Sequence, residues 1–183
     1  MKKIIWKIEP LGPPLVLRHC KKCGKTSEFS CSGQFRVNAQ RKYLDVWLIY
    51  KCAKCDTTWN AAVYSRVSPQ ALNANLLEGF CSNDEGLARQ YAMDFQFLKG
   101  NGADVLRPPC SVLGDIPVSG EVSEVEIQSE YPLPVKVSTL VRDKLRLSQK
   151  DYLEQVTEGK IRSSAGQDLR KCRLKNGMVL IFQ

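Results

Sequence analysis

The sequence predicts an α+β protein in two modules. One is an N-terminal β-sheet pinned at one end by cysteines and continued by helices; the other is a small C-terminal α+β unit. Three observations carry this reading. Two C-x-x-C pairs, Cys20/Cys23 and Cys52/Cys55, bracket strand-like stretches. Helix-start signals follow at Ser68-Pro69 and Ser82 and return at Ser138 and Ser148. A glycine, a basic strand and an Asn176-Gly177 turn close the chain. The expected boundaries are 1–67 for the sheet module, 68–102 for its helical extension, 103–134 for an acidic, proline-rich linker or extension, and 135–183 for the C-terminal module.

In chain order, Ile4 to Ile8 reads as a strand stopped by Pro10 and the Gly12–Pro14 turn. Leu15 to Arg18 leads into the first cysteine pair, where Gly24 suits a left-handed turn because it has no Cβ to clash. Phe35–Asn38 and Tyr43–Tyr50 read as strands joined around Gln40 to Lys42, and Thr57–Val63 as a third. A helix is expected from Ser68, with Pro69 at its first position, toward Gly79. Another is expected from a Ser82/Glu85 capping box to the Gly100-Asn101-Gly102 stop, with Leu87, Tyr91, Phe95 and Leu98 facing the core. Between 103 and 134 only Val122–Ile127 alternates. Ser138 is expected to cap a helix bearing Leu140, Val141 and Leu145, and Ser148 with Asp151 to start another ending at Gly159. Short strands are expected at 160–162 and Leu169–Leu174, the latter forming a hairpin with Met178–Phe182 through Asn176-Gly177.

The 183 residues suffice for a sizeable core, and 43% apolar with 25% charged residues is an ordinary globular balance. No apolar run has the length of a membrane span. Lys7 and Glu9 interrupt the apolar start, so no secretory signal is expected and the expected compartment is the cytoplasm. Eight cysteines in that setting read as metal ligands plus reduced thiols rather than a disulfide scaffold. The formal charge of +8 divides into +9 over residues 1–67, −7 over 68–135 and +6 over 136–183. Basic ends of this kind attract polyanions, although solvated basic surfaces have the same composition.

Each C-x-x-C turn presents two sulfurs to one ion, and four thiolates close a tetrahedral Zn(II) site. Cys20, Cys23, Cys52 and Cys55 are the expected ligands, and the ion's expected role is structural because no position stays open for water. A redox-active pair is the rival reading, but no β-α-β pattern surrounds either pair. His19 is the single histidine, and no G-x-S-x-G or P-loop occurs, so catalysis finds little footing and no small-molecule substrate is expected. Arg142, Lys144 and Arg146 on the first C-terminal helix, Lys160 and Arg162 after Gly159, and Arg170, Lys171, Arg173 and Lys175 near the hairpin are the candidate phosphate contacts. Lys21, Lys22, Lys25, Arg41, Lys42, Lys51 and Lys54 surround the cysteine module.

The stretch from Cys20 to Trp59 resembles a zinc ribbon in its four cysteines and Gly24. Residues 138–182 (L-V-R-D-K-L-R-L-S-Q-K-D-Y-L-E-Q-V-T-E-G-K-I-R-S-S-A-G, then L-K-N-G-M-V-L-I-F) are similar to the S-four-type domain, a small RNA-binding module. They depart from it at Thr139–Asp143, where that family opens with arginine-leucine-aspartate, and at Ser163–Gly166, where it has valine-asparagine-glycine. The run F-R-V-N-A-Q-R-K-Y-L-D-V-W-L-I-Y-K-C with the later S-N-D and Y-A-M-D resembles an uncharacterised bacterial family, which brings no activity. Together these imply non-catalytic binding of structured RNA, ribosomal or transfer RNA being the candidates, with protein-interaction adaptor and unrecognised enzyme as the alternatives.

Overall fold

The computed structural model describes every residue except Arg41, and of Gln40 the main chain only. It is α+β, and its contacts divide it into two units. Residues Gly12–Pro108 form one; Met1–Leu11 and Pro109–Gln183 form the other. The first unit is thus an insertion in the second.

The chain opens with β1 (Lys2–Pro10), whose Ile4, Trp6 and Ile8 are buried while the residues between them are not. β2 (Val16–Cys20), β3 (Lys25–Gln40), β4 (Tyr43–Cys52) and β5 (Thr58–Val67) follow as an antiparallel run. A bulge between Cys31 and Phe35 bends β3, with Gly33 at φ 73°. The expected turn at 40–42 falls partly on Arg41, outside the described residues.

The helical region differs from expectation. Pro69–Ala71 is a single 3-10 turn that Ser68 does not cap through its side chain. The first helix, α1 (Ala74–Ser82), starts from Asn73, whose side chain accepts from the Asn75 N–H at 2.8 Å. Ser82 lies inside it, so the cap of α2 (Glu85–Ala92) is Asp84, which accepts from the Leu87 N–H at 2.7 Å. The expected long helix ends at Met93, and Asp94 caps α3 (Phe95–Gly100) by taking the N–H groups of Gln96 and Phe97. The expected core role of the aromatic face holds. Phe35, Phe80 and Tyr91 pack against one another with centroids 4.9–6.1 Å apart, and Phe97 joins Tyr91 at 5.4 Å. Phe80 is 1% exposed, a burial that contributes about 2–3 kcal/mol. The short β6 (Asp104–Val105) pairs with β2 and completes the sheet order β5-β4-β3-β2-β6.

The segment expected as a linker or extension supplies strands. β7 (Cys110–Leu113) and β8 (Ser123–Ser129) flank β1, antiparallel and parallel respectively. On β8, Ser123, Val125, Ile127 and Ser129 are buried alternately. Met1–Leu11 therefore belong with the C-terminal unit rather than with the cysteine module, because their apolar face is completed by β8. Next come α4 (Val137–Leu145) and α5 (Gln149–Thr157), then β9 (Ile161–Ser163) and β10 (Met178–Phe182), giving the order β7-β1-β8-β10-β9. Leu140, Val141 and Tyr152 are buried with the sheet's apolar face.

Two of these local expectations are met and four are not. Ser148 and Asp151 form the expected capping box. Gly159, at φ 76°, ends the helical run. However, Lys136 rather than Ser138 stands at the N-cap of α4, and Ser138 is buried in its first turn. Arg146 is the left-handed C-cap at φ 55°, so it is off the helix and does not share a helical face with Arg142. Residues 169–174 form no strand. The Asp168 carbonyl accepts from Lys171 and Cys172, winding the segment into a turn that buries Leu169 and Leu174. Arg173 makes a lone bridge to Lys136. No hairpin forms at Asn176-Gly177; the Gly177 N–H bonds to Ile127, and β10 pairs with β8 and β9.

Candidate functional site

The four expected ligands come together. The β2–β3 connection carries Cys20 and Cys23, and the β4–β5 connection carries Cys52 and Cys55. Their sulfurs all lie within 4.8 Å of one another, with Cys20–Cys55 at 3.5 Å and Cys23–Cys52 at 4.0 Å. Metal–sulfur bonds of about 2.3 Å in a tetrahedron put sulfurs about 3.8 Å apart, so the cluster matches the size needed to hold one metal ion. All eight cysteines are free of disulfides. Cys31 and the exposed His19 stand outside the cluster.

The two turns are built alike. Gly24 at φ 68° donates its N–H to the Cys20 carbonyl at 2.9 Å, and Asp56 at φ 56° donates to the Cys52 carbonyl at 3.0 Å. Aspartate tolerates the left-handed region better than most residues with a Cβ, but its type did not reveal the equivalence. The sulfurs are not electrostatically equal. Donation from the Thr57 hydroxyl and N–H lowers Cys55 to about 6. The Lys54 N–H, opposed by burial and aided by the Cys55 N–H, lowers Cys52. Cys23 is pushed up to about 12, first by its hydrogen bond with Cys55 and then by burial. Two of the four are thus favoured as thiolates, the form that ligates metal.

The expected nucleic-acid residues are not equally available. Lys144 donates to the carbonyls of Val112 and Gly114 at 2.9 and 2.6 Å, which ties α4 to the end of β7. Arg142 donates to Gln149 at 2.8 Å and toward the Leu147 carbonyl at 3.4 Å. These two are spent on structure. Lys160 pairs with Glu158 at 2.7 Å, which raises its pKa, and Arg170 with Asp168 at 3.2 Å. Arg146, Arg162, Lys171, Arg173 and Lys175 are exposed and make no salt bridge among the described residues, although Lys171 is near enough to Asp168 to help lower its pKa. Lys21, Lys22, Lys25, Lys42, Lys51 and Lys54 of the cysteine unit are also exposed, and Arg41 lies outside the described residues.

Sequence reasoning passed over Gln167 and Asp168. Asp168 holds Arg170 twice, accepting from its main-chain N–H at 3.0 Å and from Nε at 3.2 Å, and these donors lower its pKa. An aspartate two residues before an arginine is the available signal, because such a carboxylate reaches the following main chain.

The fold and the sulfur cluster define a two-unit α+β protein with a four-thiol site able to hold one metal ion. A family model described as "Protein of unknown function (DUF1062)" matches residues 37–167, well over half of the chain, and the protein belongs to that family. The match includes Cys52 and Cys55 but begins after Cys20 and Cys23. Comparison with curated proteins and with solved structures finds no match. No helix among the described residues is long and apolar enough to cross a membrane.

Proposed function

We propose that this protein binds structured RNA without catalysing a reaction on it, and that a zinc ion holds its cysteine unit in shape. The observation that carries the reading is the set of unpaired cations on one short stretch. Arg162, Lys171, Arg173 and Lys175 are exposed, make no salt bridge among the described residues, and lie within fourteen positions of each other. A cluster of exposed cations without salt-bridge partners attracts polyanions such as the phosphates of RNA. Zinc is favoured over harder ions because all four donors are sulfur. The S-four-type likeness is supported by the order α4, α5, β9 and then β10, and weakened by the missing strand at 169–174. Ribosomal and transfer RNA are the candidate ligands, and the cytoplasm is the proposed compartment.

The test is the salt dependence of binding. If four cations each meet a phosphate, affinity for a structured RNA should fall roughly 50- to 150-fold between 50 and 200 mM salt, the larger figure for contacts to duplex. Binding indifferent to salt would overturn the reading. A protein-interaction adaptor is the second reading, favoured by Leu113, Ile116, Val118 and Val122, which are 45–57% exposed within ten positions of each other. Partners that survive nuclease treatment would support it.

A further inference from the structure

We propose that the hollow bounded by α5, β9 and the turn at 166–170 receives one unpaired nucleotide of the bound RNA. The proposal rests on the RNA-binding reading above and adds the form of nucleic acid that the surface selects. The hollow, of about 260 Å³, has Val156, Ile161 and Leu169 as its apolar lining and Arg162, Gln167 and Arg170 as its polar one. Ile161 and Leu169 are buried at 1% and 2% exposure and form the floor, so the half-buried Val156 presents most of the apolar surface that a ligand can reach. Such a combination suits a base, which has an apolar face and a polar edge, rather than a bare phosphate.

Each polar group has a distinct task. The Arg170 Nε donates to the Asp168 carboxylate at 3.2 Å, so its flat guanidinium is oriented before any ligand arrives. The Asp168 carboxylate, also on the rim, is thereby committed to Arg170 rather than facing a phosphate alone. Gln167 is half-buried, and its Oε1 has the Cys172 thiol 3.7 Å away, a weak contact that a base edge can replace. A carboxamide both donates and accepts, as reading a base edge requires. Arg162 is exposed and supplies charge for the phosphate. A second hollow of about 240 Å³ shares Ser163 and Gln167 with the first and brings Lys175 and Asn176, giving the neighbouring phosphate a place. Proteins that read RNA sequence do so at unpaired bases, stacked on arginine or aromatic planes and hydrogen-bonded at their edges.

Fluorescence anisotropy with two probes over the same series of salt concentrations tests this: a hairpin with an unpaired loop, and a blunt duplex of the same stem. The full chain should prefer the hairpin by about tenfold or more. Gln167→Ala should cut that preference to threefold or less and leave duplex affinity unchanged, which also shows that the variant is folded. Arg170→Lys, which keeps the charge, should weaken hairpin binding about fivefold without altering the salt slope. Equal affinity for both probes, or full preference in Gln167→Ala, would overturn the nucleotide site while leaving RNA binding standing. No salt-sensitive binding to either probe would overturn both.

Discussion

The side-chain amide of Asn101 pairs with the main chain of Ala62 in both directions. The Ala62 N–H donates to Oδ1 at 2.7 Å, and Nδ2 donates to the Ala62 carbonyl at 3.2 Å. Ala62 lies on β5, an edge strand of its sheet, so one carboxamide does the work of a missing strand neighbour. The same Nδ2 also reaches the Phe97 carbonyl at 3.0 Å, and the Asn101 carbonyl accepts from the Arg18 guanidinium, which lies over the Trp59 ring at 4.3 Å. One residue at the end of α3 thus ties a helix to the edge of the sheet and to β2.

Asn101→Ala leaves both polar groups of Ala62 without that partner. Because Ala62 is only half-buried, water replaces part of the loss, and the expected cost is about 1–2 kcal/mol. Urea denaturation would show it as a lower midpoint with the slope retained. An unchanged midpoint would mean that the edge is satisfied without Asn101.

Gly114 is a close approach that admits no side chain. A Cβ there would stand 2.1 Å from the Ile5 carbonyl oxygen and 3.1 Å from Trp6 Cδ1, at φ 120°. The next residue, Asp115, accepts the Trp6 Nε1 hydrogen bond at 2.9 Å, so this turn closes over a fully buried indole. Gly114→Ala should cost more than about 3 kcal/mol or prevent folding. Gly120→Ala, at φ 84° with open space around it, should cost only the left-handed strain of about 1–2 kcal/mol. Equal losses from the two would show that backbone conformation, not the clash, decides.

Tyr152 donates to the Leu169 carbonyl at 3.0 Å in a fully buried contact. Tyr152→Phe strands that carbonyl, with an expected loss of about 1–3 kcal/mol. Burial, then the neighbouring Cys172 and Asp168, push the phenol up to about 12, against about 10 in an unfolded chain. A raised acid binds its proton more tightly when folded, so this contribution is complete below pH ~10 and lost as pH rises toward ~12. The stability gap between wild type and Tyr152→Phe should therefore be flat to about pH 10 and narrow above it. A gap that widens with alkali would contradict this assignment.

The sulfur cluster makes a stoichiometric prediction. Elemental analysis should find one metal ion per chain, falling to far below one in Cys52→Ser and unchanged in Cys31→Ser, because Cys31 lies outside the cluster. Stripping the ion with a chelator should cost several kcal/mol and expose the Gly24 and Asp56 amides to hydrogen exchange. Acid should release the ion, since protons compete for the same sulfurs. Retention of the ion in Cys52→Ser would remove that thiol from the ligand set.

Legibility varied with the range of the interaction that decides each element. The four ligands were readable because a C-x-x-C turn is local chemistry. The helix starts after the cysteine sheet were not, although C-S-N-D-E offered three capping residues in a row. Asn83 is excluded as the cap by a distant partner: its Oδ1 takes the Phe35 N–H at 2.6 Å, at the bulge of β3. That contact leaves Asp84 to start α2. At 169–174 the expected alternation fails because the two deeply buried residues, Leu169 and Leu174, are five apart. The candidate cations were readable as a set, but which were already engaged depended on carbonyls such as those of Val112 and Gly114, which carry no sequence signal.

What the amino-acid order settled by itself is whatever depends on neighbours a few residues away. This includes the paired thiols, the left-handed Gly24, the Ser148–Asp151 capping box and the apolar face of β1. What only the tertiary structure decided is which distant segments share a sheet. β1 pairs in parallel with β8 across more than a hundred residues, so the first strand belongs to the last unit and the presumed linker becomes its neighbour. An apolar strand face announces that it will be buried. It does not name its partner, because main-chain hydrogen bonding is the same for every strand and the choice is made by the packing of both faces at once.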